Sequence, residues 1–477
     1  MRATALTAAI LVSAACGGAA WAEDASVTLQ DRKALSLTVY NGGTGLVRDT
    51  RTVAVPAGRS TVSFIDVSAQ IQAETALLKN APFDVLEQNF DFDLLSPDKL
   101  LEKSVGRTVQ LHRLGPDGRE TVETATLLGA NGGIVLKVGD HIETMSGASD
   151  ASRRLTFDSL PGNLRSRPTL SMAVNSGGAV SRDLMLTYMT GGLDWKADYV
   201  ANLAPDEKSL SLQGWISITN TSGTPYEQAQ VQVVAGQVNQ APPPRGYARD
   251  KGMEMMTMSA SRMPQEESFF EYHLYTLPGS ITLAENQTKQ VALLEAPKIT
   301  ATRVLESRGG NWSLSRVGDM QPQPASITLK FGNDDRSGLG TPLPGGTVRV
   351  YKDDSRGQVQ FVGADSIRHT PRNEKVELSL GQAFDVTVKR KQTDFRQTNA
   401  QNGQLIEATS SWEVTVKNGK KEAAEVRVVE LLQGDWRITA ESRPHQKEAA
   451  NMAVWNVRAP AEGQTTFTYT VVTRNVP

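Results

Sequence analysis

Apolar and polar residues alternate along most of the chain, and this period of two predicts β-strands rather than helices. Clear examples are residues 35–40, 210–218 and 466–473. One short helix is predicted to begin at Ser96, an N-cap residue followed by proline, and to end before Gly106. We therefore predict a mainly β, multi-domain protein of antiparallel, Ig-like β-sandwich modules with very little helix.

Clusters of Gly, Pro, Asn and Asp divide the strands into groups. Within residues 108–157, five short strands separated by tight turns predict a small SH3-like barrel. The predicted segments are a β-meander over 23–95, the barrel-like subdomain with its helix over 96–165, a β-sandwich over 166–300, a β-rich middle region over 301–400 and a C-terminal β-sandwich module over 401–477. The predicted core positions of the meander are Leu37, Val39, Val53, Val62 and Phe64.

Two strands in the middle of the chain, 210–218 and 231–234, are predicted to form an antiparallel pair. The link between them, residues 220–225, is a cluster of turn formers. Trp215 would face inward with its apolar neighbours if a bulge at Gly214 shifted the register.

A similar pattern recurs towards the C-terminus. Trp215, Asn220 and Ala229 in the first pair of strands are matched by Trp412, Asn418 and Ala424 in a second pair. The match indicates either an internal duplication of one sandwich module or the general similarity of any two β-hairpins. Both readings stay open at the level of sequence.

Residues 239–265 interrupt the strand pattern, and their Pro- and Met-rich composition predicts a long flexible loop. Four methionines in it are candidate ligands, namely Met253, Met255, Met256 and Met258. Thioether sulfur is a soft ligand that suits Cu(I); the alternative is an adaptable apolar surface that binds a partner. The candidate partner contacts are Met263, Phe269, Phe270 and, in a later irregular segment, Trp312.

The first 22 residues have the organisation of a secretory signal peptide. Arg2 supplies the positive charge, residues 3–15 are apolar, and the Ala-Trp-Ala triplet at 20–22 predicts the cleavage site. The apolar run is too short to span a membrane, so we expect an exported, periplasmic or extracellular protein without a membrane span. The alternative is a lipid anchor on Cys16, the single cysteine, although the usual leucine three positions before it is absent.

Charge and motifs bear on the remaining classes of function. The 50 basic and 52 acidic residues nearly cancel, so no excess charge favours binding to nucleic acid or to an anionic membrane. The chain contains no nucleophile elbow, phosphate loop or dinucleotide-binding fingerprint. Its five histidines are scattered without the spacing of metal ligands. We therefore predict no cofactor and assign no catalytic residue.

Three stretches together resemble a known bacterial family: 188–199 (YMTGGLDWKADY), 212–236 and 380–391 (LGQAFDVTVKRK). They are similar to the family of the domain of unknown function 4139, which includes the mucoidy-inhibitor-A-like proteins. Relatives in that branch often have a coiled-coil segment, whereas this chain has no heptad repeat. The resemblance extends from roughly residue 167 to the end of the chain. It implies an exported, mostly β protein, with no established activity and no site residues.

These observations predict an exported, non-catalytic binding or scaffold protein of the bacterial periplasm or cell envelope. Its partner would be another envelope protein or a glycan, because a rigid sandwich frame displays loops for binding. Two alternatives stay open: a hydrolase whose site is assembled from distant strands, and a protein that binds Cu(I) through the methionine-rich loop.

Overall fold

The structure is a computed structural model that describes residues 25–91, 95–115, 118–149, 152–161, 164–236, 264–270, 272–310, 312–399 and 405–474. Strands make up nearly all of the regular structure in these residues, which contain one α-helix and two short 3-10 helices. The predicted mainly β fold with very little helix is confirmed. The predicted signal peptide, with Cys16, and most of the predicted loop 239–265 lie outside the described residues.

The N-terminal strands are β1 (Ala25–Val27), β2 (Arg32–Tyr40), β3 (Thr44–Val55), β4 (Gly58–Ile65), β5 (Ile71–Lys79) and β6 (Asp84–Asp91), with a 3-10 helix at Leu29–Asp31. Helix α1 (Pro97–Lys103) precedes β7 (Thr108–Leu114), β8 (Glu120–Gly129), β9 (Ile134–Val138), β10 (His141–Met145) and β11 (Arg153–Thr156). The central strands are β12 (Thr169–Ser176), β13 (Val180–Gly191), β14 (Leu193–Leu203), β15 (Ser209–Asn220), β16 (Tyr226–Ala235), β17 (Gln265–Phe269), β18 (Tyr272–Leu283) and β19 (Gln287–Arg308). The C-terminal strands are β20 (Gln323–Gly332), β21 (Gly346–Asp353), β22 (Val359–Ile367), β23 (Lys375–Asn399), β24 (Leu405–Asn418), β25 (Ala424–Leu431), β26 (Asp435–Glu441), β27 (Gln446–Ala449), β28 (Met452–Ala459) and β29 (Gly463–Arg474), with a 3-10 helix at Asp335–Ser337.

The strands form four sheets. A seven-stranded sheet has the order β17-β18-β16-β2-β3-β13-β5, and a four-stranded sheet has the order β1-β4-β12-β6. A five-stranded sheet has the order β10-β9-β8-β7-β11. The longest sheet follows the path β22-β21-β14-β15-β19-β20-β23-β24-β29-β26, with β25, β27 and β28 attached beside it. One large apolar core joins the first two sheets to the first part of the longest sheet, a second fills the C-terminal part, and a small third core belongs to the five-stranded sheet.

The predicted meander over 23–95 is wrong in its third strand. Strands β2 and β3 form a hairpin, and the other edge of β3 pairs with β13. A strand has only two hydrogen-bonding edges, so β4 cannot continue the meander and instead pairs with β1 and β12 in the four-stranded sheet. Sheets and core therefore join strands from both sides of the predicted boundary near residue 165. The five predicted core positions, Leu37, Val39, Val53, Val62 and Phe64, are all fully buried, as expected.

The predicted antiparallel pair in the middle of the chain is also wrong. Strand β15 pairs with β14 and β19, whereas β16 pairs with β18 and β2. The polar link therefore carries the chain from one sheet to another. Asn220 fixes this crossing, because its buried amide donates to the carbonyls of Thr224, Leu283 and Ala284 at 2.9–3.3 Å.

The second unit of the sequence repeat has the same connectivity. Strand β15 pairs with β19 and β16 with β18, and correspondingly β24 pairs with β29 and β25 with β28. Neither unit is a hairpin, so general hairpin similarity does not explain the shared pattern. The shared connectivity favours internal duplication of one sandwich module.

Trp215 does not face inward with its apolar neighbours. The register shift at this point lies in β19, since Gly214 pairs with Leu294 and Trp215 with Ala292. The alternation of apolar residues in β15 is therefore unbroken, and Trp215 is half-buried on the face opposite to Leu210, Leu212, Ile216 and Ile218.

The five-stranded sheet has the strands predicted for the small barrel, and α1 begins as predicted, with the Ser96 hydroxyl accepting from Lys99 N at 3.2 Å. The sheet does not close into a barrel. Its edge strands β10 and β11 have only five and four residues, and closure needs staggered pairing between the edges. In the described part of this region, one isolated bridge pairs Ser149, which follows β10, with Arg154 of β11. Leu101 of α1 packs into the core of the sheet.

Candidate functional site

The residues that the sequence singled out around the long loop are only partly described. Met253, Met255, Met256, Met258 and Met263 lie outside the described residues. Phe269 is the last residue of β17, where its backbone pairs with Tyr272. Phe270 follows with a positive φ of 57° and is 83% exposed, with its ring centroid 6.2 Å from that of Tyr272. An exposed phenylalanine therefore stands where the chain resumes after the loop.

Trp312, one of the candidate partner contacts, is half-buried against the C-terminal core. Its ring centroid lies 6.3 Å from that of Trp412, and the guanidinium of Arg390 lies 5.9 Å from the Trp312 ring. The irregular segment that contains Trp312 folds back onto this core, against which Val317 and Met320 also pack. The role of Trp312 in partner contact stays a prediction.

An apolar cleft of about 230 Å³ lies beside the point where the chain resumes after the predicted loop. Its walls are Pro264, Glu266, Tyr275, Leu293, Leu294, Glu295, Ala296, Gly338, Leu339, Thr341 and Pro342. The Tyr275 hydroxyl donates to the carbonyl of Pro342 at 3.1 Å and so ties two walls together. Burial raises the pKa of Tyr275 above its ordinary value, so the hydroxyl stays protonated and remains a donor.

Two carboxylates stand at the rim of the apolar cleft. Glu266 lies 2.7 Å from the Nδ1 atom of His273, and Glu295 is exposed. At position 338, which lines the cleft, only glycine fits, because φ is +88° and an added Cβ would overlap the carbonyl of Lys298. Because its lining is mainly apolar and two glutamates stand at its rim, the cleft can accept an apolar group next to negative charge.

A second, larger cleft of about 620 Å³ is polar and lies on one face of the four-stranded sheet. Across its floor, Ser26 of β1 stands opposite Ser63 of β4, which stands opposite Ser171 of β12, which stands opposite Asn89 of β6. The Ser63 and Ser171 hydroxyls are 3.2 Å apart. Because neighbouring strands lie about 4.8 Å apart, these four residues form one line of hydrogen-bonding groups.

Two arginines line the wall of the polar cleft. Arg165 donates from Nε to Asp91 Oδ2 at 3.0 Å, and Arg167 donates from Nη1 to Asp66 Oδ2 at 2.8 Å. The buried Thr169 hydroxyl donates to the carbonyl of Arg167 at 3.0 Å and fixes the backbone of this wall. Each cation is thus matched by one carboxylate, and the wall has no net charge.

Two acids with a raised pKa lie away from both clefts. Burial raises the pKa of Glu430, whose carboxylate accepts from Arg390 Nε at 2.7 Å. The same carboxylate lies against the backbone of Gly309. Burial also raises the pKa of Glu285, which accepts from the backbone N–H of Gly223 at 2.9 Å. Neither residue lines the apolar or the polar cleft. Among the residues that the structure describes, no group of three or more His, Cys, Asp and Glu could hold a metal ion.

Sequence reasoning missed both clefts. The floor of the polar cleft comes from four strands separated by up to 145 positions, from Ser26 to Ser171. A Ser, Thr or Asn at alternate positions is also typical of the solvent face of any strand. The pairing of the strands, which brings these positions into one row, is not visible in a single sequence.

The described structure defines a class of protein, a mainly β chain in which two sandwich units of the same connectivity follow one another. The family model of the domain of unknown function DUF4139 matches residues 184–475, well over half of the chain, and this range contains both units. The chain therefore belongs to the DUF4139 family, as its sequence resemblance predicted. No curated protein matches it. No helix in the described ranges is long and apolar enough to cross a membrane.

Proposed function

We propose that this chain is an exported, non-catalytic binding protein of the bacterial periplasm or cell envelope, and that it holds another envelope protein at the apolar cleft. The observation that supports partner binding most directly is this open cleft of about 230 Å³, which is lined by Pro264 and Glu266 where the chain resumes after the predicted loop. Export is supported by the signal-peptide pattern of the first 22 residues.

The size and the lining of the cleft favour a protein partner. Pockets for whole small molecules usually enclose about 300–1,000 Å³, so this cleft suits one or two side chains of a partner. Burying a single leucine-sized side chain contributes about 1.5–3 kcal/mol. Glu266 and Glu295 at the rim would favour a partner segment in which an apolar residue stands next to Lys or Arg.

The test is a pull-down from envelope extract with the mature chain and with two matched variants. Thr341→Arg places a long cation in the cleft at an exposed position, whereas Thr393→Arg places the same group at an exposed position of β23 outside both clefts. We expect one partner to be retained by the parent chain and by Thr393→Arg, and to be lost with Thr341→Arg. Retention of every bound protein by Thr341→Arg, with unchanged thermal unfolding, would refute the assignment to this cleft.

A further inference from the structure

We propose that the polar cleft over the four-stranded sheet is a second binding site, and that it takes a neutral, polyhydroxylated saccharide. This site is separate from the apolar cleft and shares none of its lining residues. A volume of about 620 Å³ lies within the usual range of ligand pockets.

The floor of the polar cleft provides the alternation of donors and acceptors that a saccharide needs. A hydroxyl has one donor and two acceptor positions, so the Ser63–Ser171 pair keeps one donor and three acceptor positions after its mutual bond. Ser26 and Asn89 extend this row on either side, and all four side chains are short. A ligand rich in hydroxyl groups can therefore lie close to the sheet and exchange hydrogen bonds along the whole row.

The wall of the cleft favours a neutral ligand over an anion. Arg165 and Arg167 each have an aspartate partner, so their charges are already matched. Arg165 donates to Asp91 from Nε, and the N–H groups of its two terminal nitrogens remain as further donors. Asp91 Oδ1 can accept from a ligand hydroxyl while Oδ2 is bonded to Arg165. Paired donors and acceptors of this kind suit neighbouring hydroxyls of a sugar ring.

A peptide would fit this site less well. Peptides are bound mainly through a free strand edge or through apolar side chains in pockets. The cleft lies on the face of the sheet, and its two inner strands β4 and β12 have both edges paired. Of the residues that line it, Ile65 and Phe90 are the apolar ones, and both are half-buried.

Isothermal titration calorimetry on the mature chain tests the proposal. The probes are neutral tetrasaccharides of glucose, N-acetylglucosamine and mannose, with tetragalacturonate and inorganic phosphate as acidic probes. The variant is Ser63→Ala/Ser171→Ala, and the matched control is Thr415→Ala/Thr466→Ala, which removes an exposed cross-strand hydroxyl pair 2.9 Å apart that lies outside both clefts. We expect a neutral tetrasaccharide to bind, with affinity about 10-fold weaker in the serine variant and unchanged in the control.

Three results would overturn the proposal. The first is the absence of binding by any neutral tetrasaccharide at millimolar concentration. The second is equal weakening by the serine variant and the threonine control. The third is tighter binding of phosphate or tetragalacturonate that is lost with Arg167→Ala, which would make the cleft an anion site. Thr341→Arg should leave saccharide binding intact, so failure at one cleft is distinguishable from failure at the other.

Discussion

Asn220 and Asn418 make the same hydrogen bonds at the same place in the two sandwich units. Each amide donates to the carbonyl four residues ahead, Asn220 to Thr224 at 2.9 Å and Asn418 to Glu422 at 2.8 Å. Each side-chain oxygen accepts from the backbone N–H two residues ahead, at 3.1 and 3.0 Å. Asn220 is the last residue of β15 and Asn418 is the last residue of β24. In each case the next strand does not pair with the one before it: β16 pairs with β18, and β25 pairs with β28. One polar side chain thus fixes the equivalent crossing in each unit.

Replacement of either asparagine should destabilise the protein. Asn418→Ala removes a buried side chain that donates to the carbonyls of Glu422 and Pro460 and accepts from the backbone N–H of Lys420. Because three hydrogen bonds of a buried side chain are lost together, we expect the free energy of unfolding to fall by about 2–3 kcal/mol. Urea unfolding followed by tryptophan fluorescence measures the change.

The control is Asn202→Ala, at an exposed position of β14. It should change the free energy of unfolding by less than about 0.5 kcal/mol. A loss of the same size in Asn202→Ala and Asn418→Ala would show that the crossing does not depend on the buried amide.

Gly309 should tolerate no side chain. A Cβ at this position would overlap the Glu430 carboxylate, which cannot move away because Arg390 holds it at 2.7 Å. We expect Gly309→Ala to lower the free energy of unfolding by about 2–3 kcal/mol, since overpacking of a core is costly. In the same irregular segment, a Cβ at Gly318 would meet no atom within 4 Å. Thermal unfolding of the two variants side by side should show a large loss in the first and almost none in the second.

Asp49 should make a pH-dependent contribution to stability. Its burial alone would raise the pKa of the carboxyl, but hydrogen bonds and charges from Arg32 and Arg51 outweigh burial and hold the pKa below its ordinary value of 3.8. Because the pKa is lower in the folded state, the stabilisation is complete above the unfolded pKa and is lost as pH falls through the folded pKa. Asp49→Asn removes the buried anion that pairs with the buried Arg51 and the half-buried Arg32, and should cost about 3–5 kcal/mol at neutral pH.

The difference in unfolding free energy between the parent chain and Asp49→Asn should therefore shrink as pH falls from about 5 to about 2. Denaturant titrations at each pH measure it. Asp183→Asn, at a carboxylate that accepts from the Thr52 hydroxyl in an exposed position, is the control and should show a much smaller difference. A difference for Asp49→Asn that does not change with pH would contradict this account.

Export predicts a mature chain without cysteine. Cleavage after the 20–22 triplet would remove Cys16, so the mature protein should not react with a thiol reagent after unfolding. N-terminal sequencing of protein from the periplasmic fraction should begin at Glu23. Cys16→Ser should leave both results unchanged, whereas a fatty-acid label on Cys16 would establish the lipid-anchored form instead.

Local structure was predictable because it depends on nearby residues. The alternation of β2 predicted Leu37 and Val39 as core residues, and both are fully buried. The Ser96–Pro97 pair predicted the start of α1, because an N-cap hydroxyl and a fixed proline φ act within one turn. The family resemblance was likewise visible in the chain itself.

Tertiary structure alone decided which strands are neighbours. A strand pattern is the same whether the strand turns back on the previous one or crosses to another sheet, so the chain could not show that β15 and β16 lie apart. The polar cleft depends on the same choice, since Ser63 and Ser171 meet only because β4 pairs with β12. Period-two alternation shows which residues of a strand share one face. Which strands lie beside it is set by the packing of the whole chain.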